Sequence, residues 1–490
     1  MMQSRWSLAC ALFLALGTAC SGGGEDGDTG DNGSDVDPDE TVCDGVAFAE
    51  LTRVELPDGG FPMLSDADHC SYTGNRSDRT YVLTDLTGDG QADLVVTADC
   101  TSANDVGETN WDVYPGEAGG FAQTATAWSL PSGGFPMAAD ADHCDYTGNR
   151  TDRTYGLVDM NGDARPDLVM TADCTRNTAL GDGHWNVYLN EGDGFSASAT
   201  RFDLPSGGFP MLSDADHCDY TGNRTDRTYG LVDFDGDDLP DLVVTGDCAG
   251  NSAIGTSRWN VYKNQGDGFA TDATMVTLPP GGFPMLSDAD HCSYTGNRSD
   301  RTYTLTDFDG DGLPDLVLTG DCTSNNQLGT SHWDVYRNTG DAFAETPTQA
   351  SLPSGGFPMA SDADHCSYTG NRTDRTYSLV DVNGDRQPEL VVTADCTTNN
   401  QLGTTHWDVY TNDGTDFASE AVQLALPEEG FPMLSDADHC SYTGNRTDRT
   451  YGFTDLTGDG LGDLVMTGDC TSSNQLGELR WNVYALECVN

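Results

Sequence analysis

Asp307, Asp309 and Asp311 stand at alternate positions of the string DFDGDGLPDL, with Gly312 at the sixth position and Asp315 at the ninth. Carboxylates at positions one, three, five and nine, with the backbone carbonyl of the seventh residue, Leu313, can wrap a hard divalent cation that wants about six to eight oxygens, as in the first part of an EF-hand loop. A glycine at the sixth position permits the left-handed backbone of the tight bend. The pattern recurs five more times. The third copy reads Asp233, Asp235, Asp237, Leu239 and Asp241, with Asp238 in place of the glycine. The first (Asp85, Thr87, Asp89, Gln91, Asp93) and the sixth (Asp455, Thr457, Asp459, Leu461, Asp463) carry threonine at the third position. The second (Asp159, Asn161, Asp163, Arg165, Asp167) and the fifth (Asp381, Asn383, Asp385, Gln387, Glu389) carry asparagine there and lose the sixth-position glycine to Ala164 and Arg386, which makes them the weakest expected binders. Up to six calcium ions are expected. The competing reading is of plain Asp/Gly turns without metal.

Loops that recur in register need elements that recur with them. His69, His143, His217, His291, His365 and His439 each sit in the string DADHC at intervals of 74 residues, and Trp111, Trp185, Trp259, Trp333, Trp407 and Trp481 share the period. One such unit cannot bury a core alone, so the copies must stack. No terminal copy looks like a degenerate cap, which favours a closed ring over an open solenoid. Within a copy, TYVLTDL from Thr80, DLVVTAD from Asp93, WDVY from Trp111 and a run from Phe121 to Leu130 are short, rich in Val, Thr, Tyr and Trp, and bounded by turn residues. Each reads as a strand. The expected fold is all-β: a six-bladed β-propeller of six 74-residue, four-stranded repeats. The last copy stops after Tyr484 without a fourth strand, while Val46 to Leu56 looks like a fourth strand without its other three. The N-terminal strand therefore closes the ring, and Cys43 and Cys488, on either side of the cut, are placed to staple it. The repeats fall near 58–131, 132–205, 206–279, 280–353, 354–427 and 428–490 plus 46–57, within a propeller domain of 43–490.

With these loops inside a strand-loop-strand context, the chain resembles the FG-GAP/VCBS family, the calcium-binding blades of integrin α-subunit propellers and of bacterial surface proteins. The resemblance covers the loop and following strand in all six copies, and more loosely the VYxNxGDGF hairpin, from which the first and last copies depart. It implies a propeller with calcium loops between adjacent strands of each blade.

The first residues read as an export signal. Arg5 precedes an apolar run from Leu8 to Ala19, too short to span a bilayer as a stable helix, so residues 1–19 are expected to be a signal peptide. LALGTAC, ending at Cys20, resembles the lipobox of bacterial lipoproteins, although Gly17 stands where Leu is usual. An ordinary secretory signal is the alternative. Residues 20–42 then form an acidic Gly/Asp/Ser tether with too little apolar surface to order itself. The expected setting is an exported bacterial lipoprotein at the outer membrane or cell surface, bound to the membrane through lipidated Cys20. Setting aside Cys10 and Cys20 leaves an even number of cysteines, two per repeat (Cys70 with Cys100, and so on) plus Cys43 and Cys488. Export makes this a disulfide framework, with zinc ligation as the alternative. A formal net charge of −58 excludes nucleic acid as a natural partner.

The block GGFPMLSDADHCSYTGNRSDRTY barely changes between copies, while the fourth strand drifts freely (FAQTATAWS, FSASATRFD, FATDATMVT). Two explanations compete. The block is a structural staple, or Asp66, Asp68, His69, Tyr72, Asn75, Arg76, Asp78 and Arg79 form a repeated surface for a glycan or an anionic ligand. Six nearly identical blades give no unique catalytic constellation, and no nucleophile motif, phosphate loop or HExxH is present. The expected function is a non-enzymatic, multivalent binding module of adhesin or lectin type. A carbohydrate-active enzyme and a purely structural surface protein are the alternatives.

Overall fold

The computed structural model describes residues 42–43, 45–67, 78–101, 105–117, 119–141, 151–175, 179–215, 226–248, 250, 253–289, 300–323, 327–363, 373–397, 401–428, 430–437, 447–471 and 475–489. Six antiparallel blades form the ring of a β-propeller. In the first blade the strands are Arg79–Thr84, Asp93–Asp99, Asn110–Tyr114 and Thr126–Ser129, in spatial order. Four further blades repeat this order. The sixth joins Arg449–Thr454, Asp463–Asp469 and Arg480–Tyr484 to the N-terminal Thr52–Glu55, whose Val54 stands opposite Trp481. Ring closure by the N-terminus is thus as expected, with one difference. The stretch expected as a single strand from Val46 to Leu56 is broken, and Val46–Phe48 pairs instead with Leu486–Cys488 in a separate ribbon closed by the Cys43–Cys488 disulfide. Glu50 and Leu51 at the break are exposed, so nothing apolar holds the chain straight there.

Burial explains each strand's composition. The second strands are buried at nearly every position because blades cover both faces, and they read as near-continuous apolar runs such as Leu94, Val95 and Val96. Third strands alternate, burying Trp111 and Val113. Fourth strands bury one residue in four, Trp128 in the first blade and Phe202 in the second, which is why their remaining positions are free to drift.

Neighbouring blades are joined by the GGFPM segment. Phe135 packs edge-to-face on Tyr155, and its carbonyl accepts the indole N–H of Trp111 from the preceding blade at 2.6 Å. Thr80 and Thr97 hydroxyls donate to the Pro136 carbonyl. The contact recurs around the ring and is completed where the Trp481 indole donates to the Phe61 carbonyl.

Candidate metal centre

Each acidic loop joins the first and second strands of its blade, and its first aspartate organises the turn. Asp307 accepts the N–H of Gly310, Asp311 and Gly312, and Asp311 accepts that of Leu313. Asp85, Asp159, Asp233 and Asp455 accept corresponding N–H groups in their own loops, as does Asp381. The turn requires a left-handed sixth residue. Gly90, Gly312 and Gly460 have φ of 85°, 83° and 84°, while Ala164, Asp238 and Arg386 reach 63°, 64° and 67°. A Cβ at Gly90, Gly312 or Gly460 would meet nothing within 4 Å, so the missing glycine leaves the backbone path of the second and fifth loops intact.

The ninth-position carboxylate is fully buried in every blade. One of its oxygens accepts the N–H at the turn after the third strand: Gly116 for Asp93, Asn190 for Asp167, Asn264 for Asp241, Asn338 for Asp315 and Leu486 for Asp463. Burial raises these carboxyls against the pull of the N–H donors, and the neighbouring loop carboxylates add to the effect. Asp167, Asp241 and Asp315 are pushed up to about 7, Asp463 to about 6 and Glu389 to about 8; Asp93 is also raised. First-position Asp159, Asp233, Asp307, Asp381 and Asp455 are raised by burial as well.

The loops differ in what faces these carboxylates. In blades one and six the second oxygen of Asp93 and of Asp463 accepts loop N–H groups, including those of Thr87 and Thr457. In blades two and five the third-position amides turn inward: Asn161 donates to Asp163, and Asn383 to Asp385 and Glu389. Arg165 also donates to Asp163 at 2.7 Å. Blades three and four are distinct among the described residues. Oxygens of Asp233, Asp235 and Asp237, and of Asp307, Asp309 and Asp315, lie within 4.8 Å of one another. Buried Asp235 Oδ1, Asp241 Oδ2 and Asp309 Oδ1 have no hydrogen-bond partner. Buried acceptors left without donors are costly unless a cation completes them, so these residues fit a hard metal ion. The side chains of Arg165, Leu239, Leu313 and Leu461 offer no ligand oxygen, so only their carbonyls would serve, whereas Gln91 and Gln387 carry amide oxygens, that of Gln387 buried without a hydrogen-bond partner.

Sequence reasoning missed two groups here. The turn asparagines Asn190, Asn264, Asn338 and Asn412 reach across to the preceding blade, donating to the loop carbonyls of Leu86, Met160, Phe234 and Phe308 at 2.8–3.0 Å. Their place in the VYxN hairpin was legible, but not the blade they would touch. Two cations also enter the loops. Lys263 Nζ lies 2.6 Å from Asp235 and 3.5 Å from Asp341, and Arg337 Nη1 lies 2.6 Å from Asp309 and 2.8 Å from Asp315.

The invariant block divides. Asp66 is buried and its backbone pairs with Tyr81, and Arg79 donates to the Gly59 carbonyl beside Asp99 at 3.6 Å. These two serve the fold. Asp78 has a left-handed backbone, φ 58°. Asp68, His69, Tyr72, Asn75 and Arg76 lie outside the described residues, as do the signal, Cys20 and most of the tether. Cys100, Cys174, Cys248, Cys322, Cys396 and Cys470 are disulfide-bonded, and the cysteines expected as their partners also lie outside.

No protein-family model and no curated protein matches this chain. Solved structures match it in fold. The Photorhabdus luminescens Tc holotoxin pore is 17% identical with a TM-score of 0.46, over 91% of this chain and 16% of that one. A lectin of Agrocybe aegerita, described as recognising non-reducing terminal N-acetylglucosamine, is 17% identical with a TM-score of 0.41, over 86% of this chain and 88% of that one. Trypanosoma rangeli sialidase in complex with the inhibitor DANA is 10% identical with a TM-score of 0.29, over 90% of this chain and 60% of that one. The expectation that this chain is not an enzyme is corrected to leave catalysis open, a sialidase being among the structures it is similar to. A propeller accommodates catalysis as readily as binding, because activity rests on a few side chains and not on the ring.

Proposed function

We propose that this chain is a calcium-stabilised propeller of FG-GAP/VCBS type, held at a bacterial surface by lipidated Cys20, whose repeated blades present a multivalent binding surface. The observation that supports the metal is the pair of carboxylate clusters in blades three and four, with buried oxygens that no donor satisfies. Carboxylates at the first, third, fifth and ninth positions would hold the ion with the seventh carbonyl. Calcium there offsets their mutual repulsion and fixes the loop on which the next blade's asparagine rests. The ion therefore acts on blade-to-blade contacts as well as on its own turn.

Repetition supports the binding role. A ligand feature met on one blade is met again on its neighbours, so weak single contacts would add by avidity on a glycan or anionic surface. Melting curves in chelator and in millimolar calcium test the metal, with calcium expected to raise the melting temperature. Superimposed curves refute it. Binding to a glycan array, with and without calcium, tests the ligand class, and an array without any bound glycan removes that class.

A further inference from the structure

Lysine occurs once in this chain, at Lys263, and that residue sits against a metal loop. The equivalent position, immediately after the third strand, is Pro115, Leu189, Lys263, Arg337, Thr411 and Ala485 around the ring. The third loop position is Thr87, Asn161, Asp235, Asp309, Asn383 and Thr457. The two blades that place a carboxylate at the third position are thus the two that supply a cation immediately after their own third strand, and in both the two groups meet at 2.6 Å. Four blades have neither.

We propose that Lys263 and Arg337 are tethered counter-ions occupying the cation position of the third and fourth loops, so that calcium enters these loops only by displacing them. This rests on the calcium reading above. The ring then carries two classes of loop, and the two with the fullest carboxylate sets are self-competed. They also differ from each other. Lys263 reaches Asp235 Oδ2 and leaves Asp235 Oδ1 and Asp241 Oδ2 without partners. Arg337 spans Asp309 and Asp315, lies over the Phe308 ring at 5.6 Å and donates to the Gly414 carbonyl of the next blade. Its fixed fork suits two carboxylates at once, whereas an ammonium acts as a point charge. Blade four is therefore the more strongly blocked.

The test is calorimetric titration of the full chain, disulfides intact and metal stripped, with calcium chloride. Arg337→Met should tighten one site by about tenfold, the factor that corresponds to ~1.4 kcal/mol, and Lys263→Met should tighten another by less. Thr411→Met, at the equivalent uncharged position of blade five, should leave the isotherm unchanged. In chelator, Arg337→Met should melt below the parent, and saturating calcium should close that gap. If parent and Arg337→Met isotherms superimpose while calcium binds, the counter-ion proposal is overturned and the calcium reading stands. An equal shift from Thr411→Met overturns it as a packing effect. If neither protein takes up calcium, both readings fall together.

Discussion

Asp241 has one oxygen held by the Asn264 N–H and another that no donor reaches, in a side chain with no exposed surface. Such a group is held up to about 7 by burial, and a bound cation would favour its ionised form. Asp241→Asn is expected to remove most of the calcium response of blade three while leaving metal-stripped stability little changed or higher, read as melting temperature in chelator and in calcium. The same burial sets a pH dependence. A carboxyl raised in the folded state stabilises the fold while protonated, and that contribution is lost as pH rises through the folded value. For such groups the contribution is complete below the ordinary values of 3.8 for Asp and 4.5 for Glu and falls progressively up to the folded values, about 6 for Asp463, about 7 for Asp167, Asp241 and Asp315, and about 8 for Glu389. Metal-stripped protein should melt at lower temperature at pH 8.5 than at pH 5.5, and calcium should flatten the slope. A melting temperature that climbs over this range would show that burial does not control these groups.

Two glycines of similar backbone angle separate conformational need from close approach at the level of the strand and its turns. Gly312 has φ of 83° with open space around a Cβ, so Gly312→Ala should cost only the left-handed penalty, roughly 1–2 kcal/mol. Gly255 has φ of 80°, but a Cβ there would come within 2.5 Å of the Thr245 carbonyl and 3.0 Å of the Pro284 backbone. Gly255→Ala must push the second strand from the GGFPM segment that joins two blades, and should be the more damaging of the pair in urea denaturation. The inter-blade asparagines belong to this scale too. Asn264→Ala removes the donor to the Met160 carbonyl and leaves that acceptor buried, an expected loss of about 1–3 kcal/mol.

Closure governs the whole molecule. Six blades hold one another through tryptophan-to-carbonyl contacts, and the ring is shut by Thr52–Glu55 in blade six and by the Cys43–Cys488 ribbon. The disulfide spans 445 residues of sequence, so it removes much freedom from the unfolded chain. Paired substitution of Cys43 and Cys488 by serine should lower stability by about 2–5 kcal/mol without opening the ring, because the strand pairing of Val54 with Trp481 remains. Thermal melts alongside small-angle scattering decide this, and an expanded radius in the folded variant would show that the bridge alone closes the ring.

Period and strand pattern were legible from residues alone. A fixed spacing of tryptophans and Asp/Gly turns leaves stacking of four-stranded units as the way to bury Trp111 and its equivalents, and the missing fourth strand after Tyr484 pointed to its donor at the N-terminus. The carboxylate loops were equally visible, since ligand spacing within nine residues is a local property. Contacts between distant residues were not. That Lys263 and Arg337 fill loops of their own blades, and that Arg79 is spent on a carbonyl of its own repeat, depends on which distant residues strand pairing brings together. That Asn190 serves the loop of the preceding blade follows from side chains meeting across blades. Those meetings depend on the angle and offset at which one blade packs on the next, and a repeat read in isolation has no neighbour to define them.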